Sequence, residues 1–564
     1  MQETLTRQLF AALEALGGAP EGFTPEFEVP ANPDHGDLST NAALQLARHF
    51  RRAPRHIAEH IAEHMEVDTN LVSGVDVAGA GFINFRFADS WLHTGLGHLL
   101  ARGDAFGRTR HGQGQRALVE FVSANPTGPL TVGHGRNAVL GDTVATLLEW
   151  TGFDVTREYY FNDAGRQMRV LGESVRARYE ALVRPDMPTK SVDGVIVPES
   201  FPDDGYLGDY IADIAASVFE EFGASLLDAR VADGLDMADV DIYKKAAEKA
   251  IFAEIESTLK RLGIRMDSYF NERTLYDSNA IWDIVEALRE KDLAYDKDGA
   301  VWFRTTAFGK EQDTVLVKSS GEPTYRLPDI GYHVNKIERG FDRIVDIFGA
   351  DHIATFPDVL SGVEALGHDA SRISVLIYQF VTLVRSGEPV KMSTRKATYV
   401  TLDELMDEVG EDVTRFFFLM RSANTHLEFD LDLAREASEK NPVFYLQYAH
   451  ARIASILRKA EETGLQTDAD SDLSLLTHPA EIALIKQLLG FPEAIHLAAQ
   501  LTEPQKLATW LRETATSFSK FYGECRIIGQ EETLATARLQ LAAATRVVLK
   551  NGLTVLGISA PESM

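Results

Sequence analysis

The stretch 121–136, Phe-Val-Ser-Ala-Asn-Pro-Thr-Gly-Pro-Leu-Thr-Val-Gly-His-Gly-Arg, constrains the chain more than any other. An apolar run at 117–122 leads into it and reads as a buried strand. After the Asn, Pro and Gly residues, Gly133, His134 and Gly135 open a helix. Its Leu140, Val144 and Leu148 recur every four residues until Gly152. A strand that turns into a helix through small residues aims backbone N–H groups and a positive helix end at one point, which suits phosphate. A histidine beside that point can donate to charge developing on a phosphoryl group. Taken alone, the pattern also describes a plain strand–turn–helix. A second polar stretch at 390–395, Val-Lys-Met-Ser-Thr-Arg, changes the balance, because Lys391 and Ser393 are groups that can follow the outer phosphates of a nucleotide.

Together the two stretches resemble the HIGH and KMSKS signatures of class I aminoacyl-tRNA synthetases. The text around them, Ser123-Ala-Asn-Pro-Thr-Gly-Pro and Lys391-Met-Ser-Thr-Arg, is similar to the arginyl-tRNA synthetases in particular. The resemblance spans nearly the whole chain, from the segment 33–37 to the terminal Pro-Glu-Ser-Met. It implies ATP-dependent activation of L-arginine to arginyl-adenylate and transfer to the 3′ end of tRNA(Arg), releasing AMP and pyrophosphate. ATP would come with Mg²⁺ held mostly by phosphate oxygens and water, with no tightly bound protein metal. The implied partners are tRNA(Arg), L-arginine and ATP. The expected state is a cytoplasmic monomer with no membrane association.

Two positions depart from the family pattern. Thr131 stands where a histidine is usual, and a hydroxyl can donate one hydrogen bond but carries no charge. Thr394 stands where the second lysine of KMSKS is usual. Some arginine enzymes without that lysine carry one shortly before the HIGH stretch, but the matching residue here is Gly128. Arg395 or Lys396 would then supply the charge.

Composition adds bounds. A chain of 564 residues holds several domains. The single cysteine, Cys525, excludes an internal disulfide and a thiolate zinc site and fits a reducing cytosol. No apolar run reads as a bilayer span, and the N-terminus lacks a signal-peptide pattern. A net charge of −28 argues against a nucleic-acid partner at first sight. The excess is uneven, since residues 441–564 hold 11 basic and 13 acidic side chains. A nearly neutral helical domain can present a basic face while an acidic body discourages non-specific binding.

The expected architecture is α/β: a doubly wound, Rossmann-like parallel sheet forms the catalytic domain, with a small α+β N-terminal domain and a C-terminal all-α bundle. The expected boundaries are 1–112 for the N-terminal domain, with 103–115 as a linker, and 113–405 for the catalytic domain. An insertion at about 164–298 has no catalytic constellation. A helical junction covers 406–440 and the bundle 441–564. The strands at 300–303 and 314–318 are expected to resume the central sheet. His35, between Asp34 and Asp37, could ligate a metal or stabilise a turn.

Amino-acid activation requires placement and electrostatics rather than covalent help from the protein. The resemblance assigns His134, Lys391 and Ser393 to catalysis, and Thr131, Gly133, His134, Gly135, Asn137, Lys391, Met392 and Ser393 to ATP. Gly133 and Gly135 would let the nucleotide approach the backbone. Recognition of a guanidinium calls for carboxylates in a partly dry site. Glu120 interrupts an apolar strand, and a buried glutamate needs a partner. That partner is either a ligand or an internal cation, Arg136 or Arg326. Tyr325 and Asp329, four apart on a nascent helix, are expected to share a face. The resemblance places Glu120, Asn125, Tyr325 and Asp329 among arginine contacts, with Ser123 and Asp351 beside them and His352 a further candidate. For tRNA it points to Asn41 in the N-terminal domain, which touches the tRNA elbow, and to Arg452, Arg458 and Lys459 on a C-terminal helix. Phe444 and Tyr448 fit either base stacking or core packing.

Two other readings remain open from sequence. One is a different enzyme on the same catalytic fold, such as a cysteine or leucine synthetase. One cysteine cannot build the zinc site of the first, and leucine recognition would not want Glu120 and Asp329. The other is a non-catalytic RNA-binding relative, which Thr131 and Thr394 keep in view.

Overall fold

The computed structural model describes residues 2–30, 32–163, 165–230, 237–390, 400–468 and 470–564. Its centre is a five-stranded sheet. The strands are β1 (Arg116–Glu120), β2 (Asp154–Phe161), β3 (Ser268–Asn271), β4 (Arg343–Gly349) and β5 (Ile373–Tyr378). Their spatial order is β5-β4-β1-β2-β3, and every pairing is parallel. This is the doubly wound order of a dinucleotide-binding fold, and its switch point lies between β1 and β4. Ala117, Leu118 and Val119 are fully buried, as a strand covered on both faces requires. Helix α1 (Val132–Trp150) follows β1, and Gly141 lets it lie on Phe121, whose side chain would sit 2.2 Å from any Cβ there. Helix α2 (Arg326–Glu338) precedes β4.

Two segments differ from the expected layout. Ala300–Phe303 and Thr314–Val317 do not extend the central sheet; with Ala294–Lys297 they build a separate antiparallel sheet. Conversely β3, inside the expected insertion, is an edge strand of the central sheet. Short strands with little alternation carry no signal for which sheet they join. The rest of the insertion consists mainly of the helices Gly165–Val183, Asp209–Phe222 and Met237–Arg261 and a hairpin, Thr189–Val192 with Val195–Pro198.

The N-terminal core closes at Phe87. The next helix, Asp89–Arg102, buries Leu92, Leu96 and Leu99 in the main core. The expected linker is pinned: Asn551 Nδ2 donates to the carbonyls of Gly103 (3.1 Å) and Phe106 (3.0 Å). Near His35, Asp37 accepts from the Phe87 amide at 2.8 Å and pairs with Lys486 at 2.5 Å, so it ties the N-terminal domain to the C-terminal bundle. Among the described residues no metal-ligating cluster includes His35.

Five long helices, Pro442–Glu462, Pro479–Leu489, Phe491–Leu501, Pro504–Glu524 and Glu532–Val555, form the bundle. The span Pro479–Leu501 is long and apolar enough to cross a membrane by length and composition, contrary to the sequence reading. It is two helices whose Leu484, Ile485, Leu488, Phe491 and Ile495 are fully buried in the bundle core, and that packing accounts for its composition. Arg415 joins three regions. Its guanidinium donates to Leu262 O (2.7 Å) in the insertion, Leu556 O (3.0 Å) after the last helix and Asp142 Oδ2 (2.7 Å) on α1.

Candidate active site

The C-terminal ends of β1 and β4 flank the switch point. Beyond β1 the chain makes a strained turn: Val122 and Ser123 both have positive φ, 65° and 44°. A β-branched residue there is an outlier, and such strain persists only where surroundings fix it. Asn137 fixes it. Its Oδ1 accepts from Val122 N at 2.6 Å and its Nδ2 donates to Ile347 O at 2.8 Å. Asn137, expected from sequence among the ATP residues, is thus a buried strut between β1, α1 and β4. Arg136, wholly buried, donates to Gln379 O (2.6 Å), Thr425 O (3.0 Å) and Ser422 O (3.0 Å). Burial lowers its pKa to about 10, with Tyr378 opposing.

Thr131 is the N-cap of α1. Its hydroxyl accepts from His134 N at 3.4 Å, while His134 Nδ1 accepts from Thr131 N at 3.2 Å. The cap uses the threonine hydroxyl as an acceptor; its O–H can still donate but carries no charge. With Nδ1 accepting, the neutral ring of His134 carries its proton on Nε2, and that N–H has no partner among the described residues. Burial lowers the His134 pKa, which favours this neutral form. A Cβ at Gly133 would meet only Thr131 Oγ1, at an ordinary 3.7 Å, whereas one at Gly135 would meet Leu402 at 2.5 Å and Phe418 at 3.1 Å, so Gly135 admits a packed leucine.

The segment after residue 399 returns to this helix start. Thr401 bridges Thr131 in antiparallel fashion, and Leu402 N donates to Leu130 O at 2.8 Å. Lys391, Met392, Ser393, Thr394, Arg395 and Lys396 lie outside the described residues.

Beside the helix start, three acids stand in cross-strand register: Asp346 on β4 faces Glu120 on β1, and Glu120 faces Glu158 on β2. All three are buried. Parallel register puts their side chains on one face, and α2 lies across that face. Lys336 Nζ donates to Glu120 Oε2 and Asp346 Oδ1, both at 2.6 Å. Arg339 makes a bidentate pair with Glu158 at 2.6 and 2.7 Å, and the Tyr332 hydroxyl adds a bond at 2.7 Å. His333 places its ring nitrogens 2.7 Å from Asp329 O and 2.9 Å from Asp346 Oδ2. The partner of Glu120 is therefore Lys336, not Arg136 or Arg326; Arg326 pairs with Asp358 at 2.7 Å. Ser123 Oγ donates to Glu120 Oε1 at 2.9 Å and accepts from Tyr160 N at 3.2 Å.

The charges do not close. Burial drives the Glu120 pKa upward despite Lys336. Burial opposes ionisation of Asp346 too, but Lys336 and His333 outweigh it and hold its pKa well below the usual range. Glu272, also buried, receives neutral donors among the described residues: Tyr160 OH (2.6 Å), Asn162 Nδ2 (2.8 Å) and the Tyr276 hydroxyl. Asp329 has no side-chain partner among the described residues. Burial, together with Glu120 and Glu272, raises its pKa to about 7 against the pull of His333 and Lys336. Glu120, Glu272 and Asp329 thus make a partly dry acidic pocket one cation short.

The remaining expected contacts lie around the rim. Asn125 is exposed and joins Asn162 N (3.2 Å) and Gln167 (3.2 Å). Asp351, exposed, curls back over Gly349 at the end of β4, with its carboxylate 3.6 Å from His352. Tyr325 and Asp329 lie one helical turn apart at the start of α2, as their spacing implies, but differ in exposure. Tyr325 caps the start of α2 with its ring 84% exposed, and only the bond from Asp329 N to Tyr325 O (3.2 Å) joins the two. Sequence reasoning missed Lys336, His333, Asp346 and Glu272. A signal existed for the first two: Asp329, His333 and Lys336 are spaced i, i+4, i+7, a polar stripe on an otherwise apolar helix face.

For RNA, Tyr448, Arg452 and Lys459 form an exposed stripe on Pro442–Glu462. Arg452 lies over the Tyr522 ring at 4.9 Å, and Arg458 donates to Glu562 O at 3.1 Å. Phe444 and Tyr448 stack at 6.1 Å with Tyr448 38% exposed, so this pair is only partly core. Asn41 precedes the helix Ala42–Phe50 with its Oδ1 buried and unpaired.

Comparison with known proteins gives three family matches. Residues 96–428 match the catalytic domain of class I tRNA synthetases (R), 3–87 the arginyl tRNA synthetase N terminal domain, and 446–564 the DALR anticodon binding domain. A Salinibacter ruber protein named arginine–tRNA ligase is 58% identical over 571 residues, covering 100% of both chains. One of the same name from Desulfotalea psychrophila is 51% identical over 95% of this chain and 94% of that one. The solved arginyl-tRNA synthetase of Thermus thermophilus superposes with a TM-score of 0.77 over 100% of both chains at 21% identity, a likeness of fold.

Proposed function

This chain belongs to the arginyl-tRNA synthetase family, and we propose that its residues divide that family's reaction between an acidic pocket under α2 and the start of α1. The enzyme activates L-arginine with ATP and transfers the arginyl group to the 3′ end of tRNA(Arg), releasing AMP and pyrophosphate. The observation that carries the division of labour is the unpaired carboxylate of Asp329 beside Glu120 and Glu272.

The substrate guanidinium enters that pocket and supplies the missing cation. Asp329 takes it in fork geometry. Glu120, held in place by Lys336 and Ser123, and Glu272 set the potential around it. The exposed ring of Tyr325 closes over the bound side chain, leaving water as it does so. Asn125 and Asp351, on opposite sides of the switch point, meet the α-amino end. His134 Nε2–H donates to the α-phosphate where charge builds as the carboxylate attacks, and the amides at the start of α1 reinforce it. Gly133 gives the nucleotide its closest approach to the backbone.

The bridge between Thr131 and Thr401 holds residue 401 beside the start of α1, and this chain position, ten residues after Lys391, supports Lys391 and Ser393 as partners of the outer phosphates. Arg395 or Lys396 takes the place of the missing second lysine. Mg²⁺ accompanies ATP as part of the substrate. Glu120, His333 and Asp346 come within metal-ligating distance of one another, but Lys336 fills the space between them, so they form an ion network and not a cation site. The stripe of Tyr448, Arg452 and Lys459 meets the anticodon stem, and Asn41 meets the tRNA elbow. The enzyme acts as a cytoplasmic monomer.

Arginine-dependent ATP–pyrophosphate exchange, run with tRNA because the family generally requires it for this step, tests the reading. Double alanine replacement of Arg395 and Lys396 should slow exchange sharply, and unchanged exchange would remove their role. Exchange supported equally by citrulline, the uncharged isostere of arginine, would refute the acidic pocket.

A further inference from the structure

At the opposite end of the sheet from the phosphate loop, a cleft of about 200 Å³ opens between the strand starts and the C-terminal bundle. Thr151 and Phe153, just before β2, and Arg343, the first residue of β4, line one side. His111, ahead of β1, and His496, on the helix Phe491–Leu501, line the other. The length of β4, seven residues, separates this cleft from the active site by about 20 Å at the rise of a strand.

The cleft gathers positive charge without a matching acid. The His111 and His496 rings lie face to face, with centroids 4.0 Å apart and planes at 30°. Arg343 donates from Nη2 to Ala499 O (3.0 Å) and Gln500 O (3.3 Å) and leans over Phe153. Among the described residues no carboxylate pairs with Arg343. The acid that acts on His496 is the exposed Glu493 of its own helix, opposed by His111 and Arg343. Burial disfavours the charged forms of both Arg343 and His496. Two touching imidazoles beside a desolvated guanidinium repel one another when protonated, and an anion among them removes that cost.

We propose that this cleft is a second, non-catalytic site for a small oxyanion of the phosphate class, held by Arg343, His111 and His496. With Nη2 taken by the Ala499 and Gln500 carbonyls, Arg343 Nε–H and Nη1–H remain without a partner among the described residues and can each donate to an oxyanion. Thr151 and Phe153 floor the cleft, and its volume suits an ion of a few atoms. Burial and the neighbouring His111 hold the His496 pKa down, an anion relieves that, and binding takes up a proton on His496, so affinity rises as pH falls. A free phosphate or pyrophosphate and a phosphate of bound RNA share this chemistry.

Histidine ring C–H resonances of the full-length protein test the site directly. The active site is first filled with a non-reactive arginyl-adenylate analogue, and inorganic phosphate, pyrophosphate and tRNA are titrated separately. Saturable shifts of His111 and His496 are expected, with affinity about fivefold or more higher at pH 6.5 than at pH 8. Shifts with the inorganic ions assign a free-ion site, and shifts with tRNA alone assign an RNA phosphate. Arg343→Gln should abolish the shifts. If that variant melts early, His496→Gln read through His111 gives the same test. No shift with any of the three probes, equal affinity at both pH values, or a response that survives loss of the tested cation would overturn the proposal.

Discussion

Lys336 Nζ lies 2.6 Å from Glu120 Oε2, joining residues 216 positions apart in the chain. The same ammonium reaches Asp346 at 2.6 Å, so one cation serves two buried acids on adjacent strands. Burial alone would neutralise Lys336, but Asp346 and Glu120 outweigh it and raise its pKa. The network fixes the floor of the proposed arginine pocket while leaving Asp329 without a counter-ion among the described residues.

Removing the shared cation should be severe. Lys336→Met leaves Glu120 and Asp346 buried and uncompensated, and a broken buried pair costs about 3–5 kcal/mol. Urea denaturation at pH 8 should show a loss of that size. A loss under about 1 kcal/mol, the range of exposed pairs, would show that the network contributes little.

Asp329 should behave in the opposite way. Its folded-state pKa, about 7, exceeds the ordinary carboxylate value because this half-buried carboxyl is desolvated and lies near Glu120 and Glu272. The neutral form is favoured in the fold, so this residue costs stability progressively as pH rises from the ordinary range through 7. Asp329→Asn should therefore melt no earlier than the parent at pH 8, yet weaken arginine binding about 100-fold or more, because a charged bond in a dry site is lost. Early melting of the variant would assign Asp329 a structural role.

The same shift sets the pH response of the substrate. Arginine needs the ionised carboxylate, so in the free enzyme affinity should rise as pH climbs through about 7 and level off above it. Below that point, binding should release a proton, measurable by calorimetry in buffers of different ionisation enthalpy. Arginine affinity that is flat between pH 6 and 8 would contradict the assignment.

His134 should act on rate and not on arginine affinity. Its proton-bearing nitrogen faces away from the Thr131 cap, toward the phosphate position. His134→Ala should slow activation by about 100- to 1,000-fold, the usual cost of one oxyanion donor, with the KM for arginine little changed. A rise in that KM with normal turnover would place the ring against the amino acid.

Glu120 and Asp346 show how far sequence reaches. Each is a lone acid in an apolar strand, which flags a buried charge, but pairing them requires the strand register, and supplying Lys336 requires α2 to cross that face. The dinucleotide-type sheet was legible because its strand–loop–helix start has a strong local pattern, whereas the short strand at 268–271 was not, nor was the separate sheet that the strand at 300–303 joins. Gly135 and Asn137 carry motif positions, yet the fold uses them to admit Leu402 and to brace Val122. A motif marks where a residue matters without saying whether it touches ligand or neighbour. Tyr325 illustrates the reverse: helical spacing sets it one turn before Asp329, but spacing does not tell that this residue, just ahead of the helix, is 84% exposed.

The central claim is that a pocket one cation short selects a guanidinium. ATP–pyrophosphate exchange with tRNA present, comparing the parent chain and Asp329→Asn on arginine, tests it most directly. The account predicts exchange by the parent and near-complete loss in the folded variant. Exchange by Asp329→Asn at close to the parental rate and arginine concentration would contradict it.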